Sequence, residues 1–203
     1  CTLCHAPGMT FGVAEAHVIP AQEAARAFEF NILDIVNTAP GEFPAVTVSV
    51  TDPTRGDLAY DVLSDPAFSG GARLVVEVAW TNLDISNTGS GSGSATGAPA
   101  QPLGLNVLTG GVANGDGTFT VTSTTAIPAG VAGSGTAALE GRARVAGLSV
   151  PVAGVSRSFA ITDGLAVDRR QIVTLSRCND CHQSLSLHGA NRTDNIELCV
   201  TCH

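Results

Sequence analysis

One five-residue word, Cys-x-x-Cys-His, occurs three times: CTLCH at Cys1–His5, CNDCH at Cys178–His182 and CVTCH at Cys199–His203. Together the three words use all six cysteines of the 203-residue chain. Two thiols separated by two residues can each form a thioether with a haem vinyl group, while the adjacent imidazole reaches the iron from the same side. Cys1, Cys4, Cys178, Cys181, Cys199 and Cys202 therefore read as thioether residues of three haems c, with His5, His182 and His203 as proximal iron ligands. Segments built round such groups need mostly loop and single-turn structure, because the haem replaces a side-chain core.

The other readings of paired cysteines explain less. Disulfides suit an exported chain, but tight pairs do not staple distant segments and no cysteine is left over. A four-thiolate zinc site from the Cys178 and Cys199 pairs has a plausible spacing, yet it leaves His182, His203 and the whole first word unused. A histidine after all three pairs arises by chance roughly once in 10⁵, if each position is His about 2% of the time.

Electron-transfer haems usually take a second strong ligand opposite the first. The chain holds five histidines, so His17 and His188 are the candidate distal ligands and three haems are one ligand short. His188 follows His182 too closely to reach the far face of the same haem, so it is expected to cap a neighbouring one. His17 could cap the first haem or one outside the chain; Met9 reads as packing. The shortfall has three explanations: an open coordination position, a ligand from another subunit, or a longer polypeptide. The chain begins on the first cysteine of one word and stops on the histidine of another, which reads as an excerpt. Haem attachment of this type takes place outside the cytoplasm, so export is expected. No stretch approaches eighteen consecutive apolar residues, so no membrane span is expected here.

Between the words the chain reads as β structure. Charged residues are only 14%, every basic side chain is an arginine, and the formal charge of −8 argues against nucleic acid as a partner. Alternating apolar runs recur from about residue 26 to 165. Val46, Val48 and Val50 share one face, as do Leu74, Val76, Val78 and Trp80. Further runs pass through Phe28, Phe30 and Ile32, through Phe119 and Val121, through Ala137, Leu139, Ala143 and Val145, and through Phe159 and Ile161. Turn-forming stretches separate them, among them DPTRGD, read as a turn despite its RGD triplet. Six or seven strands at this spacing predict an antiparallel barrel or Greek-key sandwich.

The expected division is a haem segment over 1–22, a β domain over 23–166 and a second haem segment over 167–203. Residues 87 to 102, rich in Gly and Ser, read as a surface loop within the β domain. AQEAARAF, residues 21 to 28, reads as a short helix. Arg169, Arg170 and Arg177 either pair with haem propionates or form a solvated basic patch. The Asn191-Arg-Thr193 sequon reads as structural rather than as a glycan site.

The run RRQIVTLSRCNDCHQSLSLHGANRTDNIELCVTCH, Arg169 to His203, resembles the outer-surface decahaem c-type cytochromes of the OmcA/MtrC family. The VTDP turn at Val50–Pro53 and the VAWTNLD run after Val78 are similar too, but the resemblance is specific only in the last 35 residues or so. It implies a split β-barrel domain beside haem domains with bis-histidine ligation. It also implies His182 and His203 as proximal ligands and His188 as a distal ligand to a nearby haem. Three words rather than ten depart from the pattern.

The expected function is a relay of electrons between closely spaced haems at or beyond the cell surface. Expected partners are other redox proteins, further haem domains of the same assembly, a homo-oligomer or filament sharing ligands between subunits, or an extracellular metal or mineral acceptor. The competing class is a multihaem reductase with one open haem acting on a small oxyanion or sulfur compound. Such a site gathers His, Lys, Arg or Tyr, and this chain has no lysine and one tyrosine, Tyr60.

Overall fold

The computed structural model describes residues 18–80, 102–171, 173–182 and 184–201, the side chains of Cys181 and His182 excepted. Two antiparallel sheets face each other across one apolar core. The first has the order β1 (Glu29–Val36), β2 (Ala45–Asp52), β7 (Thr118–Thr122), β6 (Val112–Ala113), with β3 (Leu58–Ala59) also on β2. The second has the order β10 (Val155–Ala160), β8 (Ser134–Val145), β4 (Arg73–Ala79), β5 (Leu103–Asn106), with β9 (Leu148–Pro151) also on β8. The fold is thus a β-sandwich. The ten strands of these two sheets exceed the six or seven expected, because β3, β6, β5 and β9 are only two to four residues long and carry too little alternation to be read. β4 and β5, which flank residues 81–101, pair with each other from Val75 opposite Asn106 to Val78 opposite Leu103.

Alternation explains the core. Val46, Val48 and Val50 of β2 are fully buried, as are Leu74, Val76 and Val78 of β4, Trp80 just beyond it, and Ala137, Leu139 and Ala143 of β8. Phe119, Val121, Phe159 and Ile161 complete the expected faces, while Val145 is partly buried. The first strand departs from strict alternation. A bulge between Ile32 and Asp34 shifts its register on β2, so Phe30 is buried but Ile32 only half so. The expected helix over 21–28 is shorter: α1 spans Pro20–Ala25, and Phe28 turns inward to stack on Tyr60 at 5.1 Å and meet Phe68 edge-on at 5.9 Å. Burying that ring outweighs another helical turn on an exposed surface.

The sandwich does not close into a barrel. Where β1 and β10 meet, Arg157 of β10 donates to the carbonyls of Ile32 and Leu33 at the bulge, and a side chain there takes the place of a backbone ladder. On the other side the single turn α2 (Val107–Gly110) packs against β4 and β7 and buries Val107. The DPTRGD stretch is a capped turn, as expected: Asp52 accepts from the Thr54 amide at 2.9 Å, and Gly56 takes the left-handed conformation at φ 68°.

The outer face of the second sheet is buried as well. Ser134, Thr136, Ala138 and Glu140 alternate with the core positions of β8, yet each is at most 5% exposed. The cover is the C-terminal segment, which holds α3 (Leu175–His182), the hairpin β11 (Ser186–Leu187) and β12 (Arg192–Thr193), and α4 (Ile196–Val200). β12 lies on β8, α4 packs on β8 and β10, and the Gly154 amide donates to Thr193 O at 2.8 Å.

Candidate functional site

Helix α3 carries the second word. The word falls wholly within the helix, with Cys181 three and His182 four residues after Cys178. Cys178 is a free, half-buried thiol. The helix is tied to the next elements through Asp194, a residue at φ 50°. The Asp194 carboxylate accepts from Asn179 Nδ2 at 3.0 Å, from the Leu185 amide at 2.8 Å and from Ser184 Oγ at 2.9 Å. Asn195 then caps α4, its Oδ1 accepting from the Leu198 amide at 3.0 Å, and exchanges hydrogen bonds with Ser156 of β10.

Cys199, of the third word, sits in α4 and its thiol donates to Asn195 O at 3.2 Å. Burial pushes this thiol up, the charge of Arg192 opposes the shift and nearby Cys178 adds to it.

Of the other expected site residues, Cys1, Cys4, His5, Met9, His17, Cys202 and His203 lie outside the described residues, as do the side chains of Cys181 and His182. His188 is exposed at the tip of the hairpin between β11 and β12. Arg169 lines a cavity of about 490 Å³ with Thr136, Ser156, Asp168 and Glu197, and its charge acts on Glu197, whereas Arg170 and Arg177 are exposed. Asn191 turns its amide to His188 O at 2.7 Å, and Thr193 is buried, which bears out the structural reading of the sequon. Tyr60 is part of the sandwich: its hydroxyl donates to Ala27 O at 3.0 Å and to Asp52 at 3.3 Å. Burial and then the Asp52 charge push Tyr60 up to about 12, so the hydroxyl stays protonated and donating at neutral pH.

The segment also tests whether its residues fit a bulky group. Among the described residues after Val167, the one buried apolar side chain is Leu198, while Val173 and Leu187 are exposed. Helices of five and eight residues do not persist on propensity alone. A segment with helices, paired thiols and almost no core of its own has the composition expected of a shell around something it does not itself supply. By sequence, the second and third words are where a covalently held haem would attach to it.

A buried ionic cluster, which the periodicity of β4 and β8 gave no means to foresee, fastens this segment to the sandwich. Glu140 takes the close contacts: Arg73 Nη2 at 2.7 Å, Arg73 Nε at 2.9 Å and Arg192 Nε at 2.5 Å. Glu77 is left at 3.5 Å from Arg73 and 3.9 Å from Arg192. Burial, with the charge of Glu140 next, pushes Glu77 from 4.5 up to about 7 against the pull of both arginines. The folded protein thus holds this proton more tightly than the unfolded chain does. Between those two values the folded state binds more protons, so Glu77 takes stability away as pH rises through that window and costs nothing below it. Glu77→Gln, neutral throughout, is expected to match the wild type near pH 4.5 and to exceed it near pH 8 by roughly 1–3 kcal/mol. Urea midpoints measured across that range check this; parallel pH profiles for the two proteins would count against it.

No family model matches the chain, and no curated protein matches it. Among solved structures it is similar to the crystal structure of the outer membrane decaheme cytochrome OmcA, with 16% sequence identity and a TM-score of 0.52. The match covers 88% of this chain and 30% of that one, so this chain spans less than a third of its structural neighbour. At that identity the likeness is one of fold: the expected resemblance holds for the sandwich architecture. No helix among the described residues is long and apolar enough to cross a membrane.

Proposed function

We propose that this chain is an electron-transfer protein holding three haems c, at Cys1 and Cys4, at Cys178 and Cys181, and at Cys199 and Cys202. His5, His182 and His203 are the proximal iron ligands, and His17 and His188 are distal ligands. Bound haem would supply a one-electron ferric/ferrous couple. The observation that carries this reading is the C-terminal segment itself, where the second word lies on one short helix and the third begins on another, with almost no side-chain core among the described residues around them.

The chain's own residues do the rest. The sandwich is a rigid spacer against which α4 and β12 are fixed, and the Asp194 and Asn195 networks set the distance between the two C-terminal words. Fixed spacing is what successive electron transfers between attached groups require. Described residues of the N-terminal helix lie near as well: Gln22, Ala25 and Arg26 share a cavity of about 280 Å³ with Ser184, Thr193 and Asp194. That neighbourhood brings the start of the sandwich to the segment bearing the second word, and supports a relay that continues across both ends. The fold likeness to an outer membrane cytochrome supports export and a place at the cell surface, with other redox proteins or further haem domains as partners.

The histidine count favours one second reading. Five histidines serve six axial positions, so a haem with an open face, and with it a reductase acting on a small oxyanion or sulfur compound, is the alternative. The native protein is expected to contain three irons and no zinc per chain. With the sixth axial position filled from another subunit or a longer polypeptide, its chemically reduced spectrum is expected to stay low-spin and unchanged under carbon monoxide. Zinc in place of iron overturns the haem reading, and a carbon monoxide adduct in the native protein moves the reductase ahead of the relay.

A further inference from the structure

The loop that carries His188 does not hold its own shape. His188, Gly189 and Ala190 lie at φ 52°, 69° and 69°, three successive residues in the left-handed region. Two of them bear a Cβ, for which that conformation is unfavourable, and Ala190 has no polar side chain to compensate. Such a loop persists only where its surroundings over-determine it.

Three consecutive residues of β8 do so. Glu140 accepts from Arg192 Nε at 2.5 Å, the Gly141 amide donates to Asn191 O at 2.9 Å, and Arg142 Nη1 donates to Gly189 O at 2.7 Å. Arg142 is itself braced, its Nε donating to Gly71 O at 3.1 Å. Glycine stands at 141 because a Cβ there would overlap the Arg73 carbonyl oxygen of the adjacent strand; glycine inside a strand often marks such a close approach of backbones. Inside the loop, Asn191 Nδ2 donates to His188 O at 2.7 Å, so the grip on residues 189, 191 and 192 extends to the histidine's own backbone.

We propose that Glu140, Gly141 and Arg142 of β8 are positioning residues for His188, a clamp through which the sandwich sets where that imidazole stands relative to the iron it serves. The inference rests on the reading of His188 as a distal ligand. It makes the β domain a determinant of ligation at a neighbouring haem as well as a spacer.

The test uses the haem-loaded full chain with Arg142→Met, which removes the donors and keeps the stem, Arg142→Lys as the conservative rescue, and His188→Ala. Gly189→Ala strains the same contact from the loop side, since its Cβ would stand at φ 69° and 3.3 Å from Arg142 Nη1. Arg142→Met and Gly189→Ala are expected to speed hydrogen exchange of the Gly141 amide, which donates to Asn191 O, by about ten-fold or more. They are also expected to create a carbon monoxide adduct in the reduced spectrum that the wild type lacks. His188→Ala is expected to give that adduct in full, and Arg142→Lys to restore part of the wild-type behaviour. A loosened loop with an unchanged spectrum, or a loop that does not loosen, overturns the clamp while leaving His188 as a ligand. No new adduct in His188→Ala overturns the ligand reading, and the clamp with it.

Discussion

Replacing Glu140 with alanine is expected to destabilise the protein by about 1–3 kcal/mol, because it leaves the partly exposed guanidinium groups of Arg73 and Arg192 without their closest partner. Glu140 is 1% exposed and accepts from both Arg73 and Arg192, the first in its own sheet and the second in the C-terminal segment. Glu77 cannot take over as it stands, since it lies farther from both guanidinium groups. The loss should also be felt beyond the sheet, because Arg192 is in β12 and its release frees the hairpin. Chemical denaturation followed by far-ultraviolet circular dichroism measures the first effect, and hydrogen exchange over 186–193 the second. A loss below about 1 kcal/mol, the range of an exposed ion pair, would show that the cluster is solvated and fastens nothing.

Leu198→Ala is expected to cost about 2–5 kcal/mol, as truncation of a fully buried leucine does, but to spend it locally. Leu198 is fully buried yet stands outside the main core, on α4, which packs on β8 and β10. Its loss should detach the helix bearing Cys199 and leave the sandwich intact. Amides of residues 196–201 should then exchange roughly 30-fold faster or more, with those of β2 and β4 unchanged. Faster exchange throughout the sandwich would instead make α4 an integral part of the fold.

Both effects arise on a surface that could not be read from the sequence. The core faces were legible because strand alternation has a period of two and is written in single residues: Val46, Val48 and Val50, or Leu74, Val76 and Val78, go inward together. The three words were legible for a similar reason, since their chemistry depends on spacings of three and four residues. The shortened helix at Pro20–Ala25 and the bulge after Ile32 were not. Each follows from a non-local demand, the first from the pocket for Phe28 beside Tyr60 and Phe68, the second from the meeting of β1 with Arg157.

What the sequence determined by itself is the alternation of a β-sandwich and the threefold spacing of cysteines and histidines on which the proposed haem attachment rests. Local geometry is enough for both. What only the tertiary structure decided is how those two parts are joined. Thr136, Ala138 and Glu140 lie on what reads as the outer face of β8, and they become interior only because a segment more than 45 residues later in the chain folds over them. Glu140 and Arg192 are 52 residues apart, and neither position carries a local signal for the other. A buried ion pair forms where two chain segments exclude water together, and that exclusion is a property of the packed molecule.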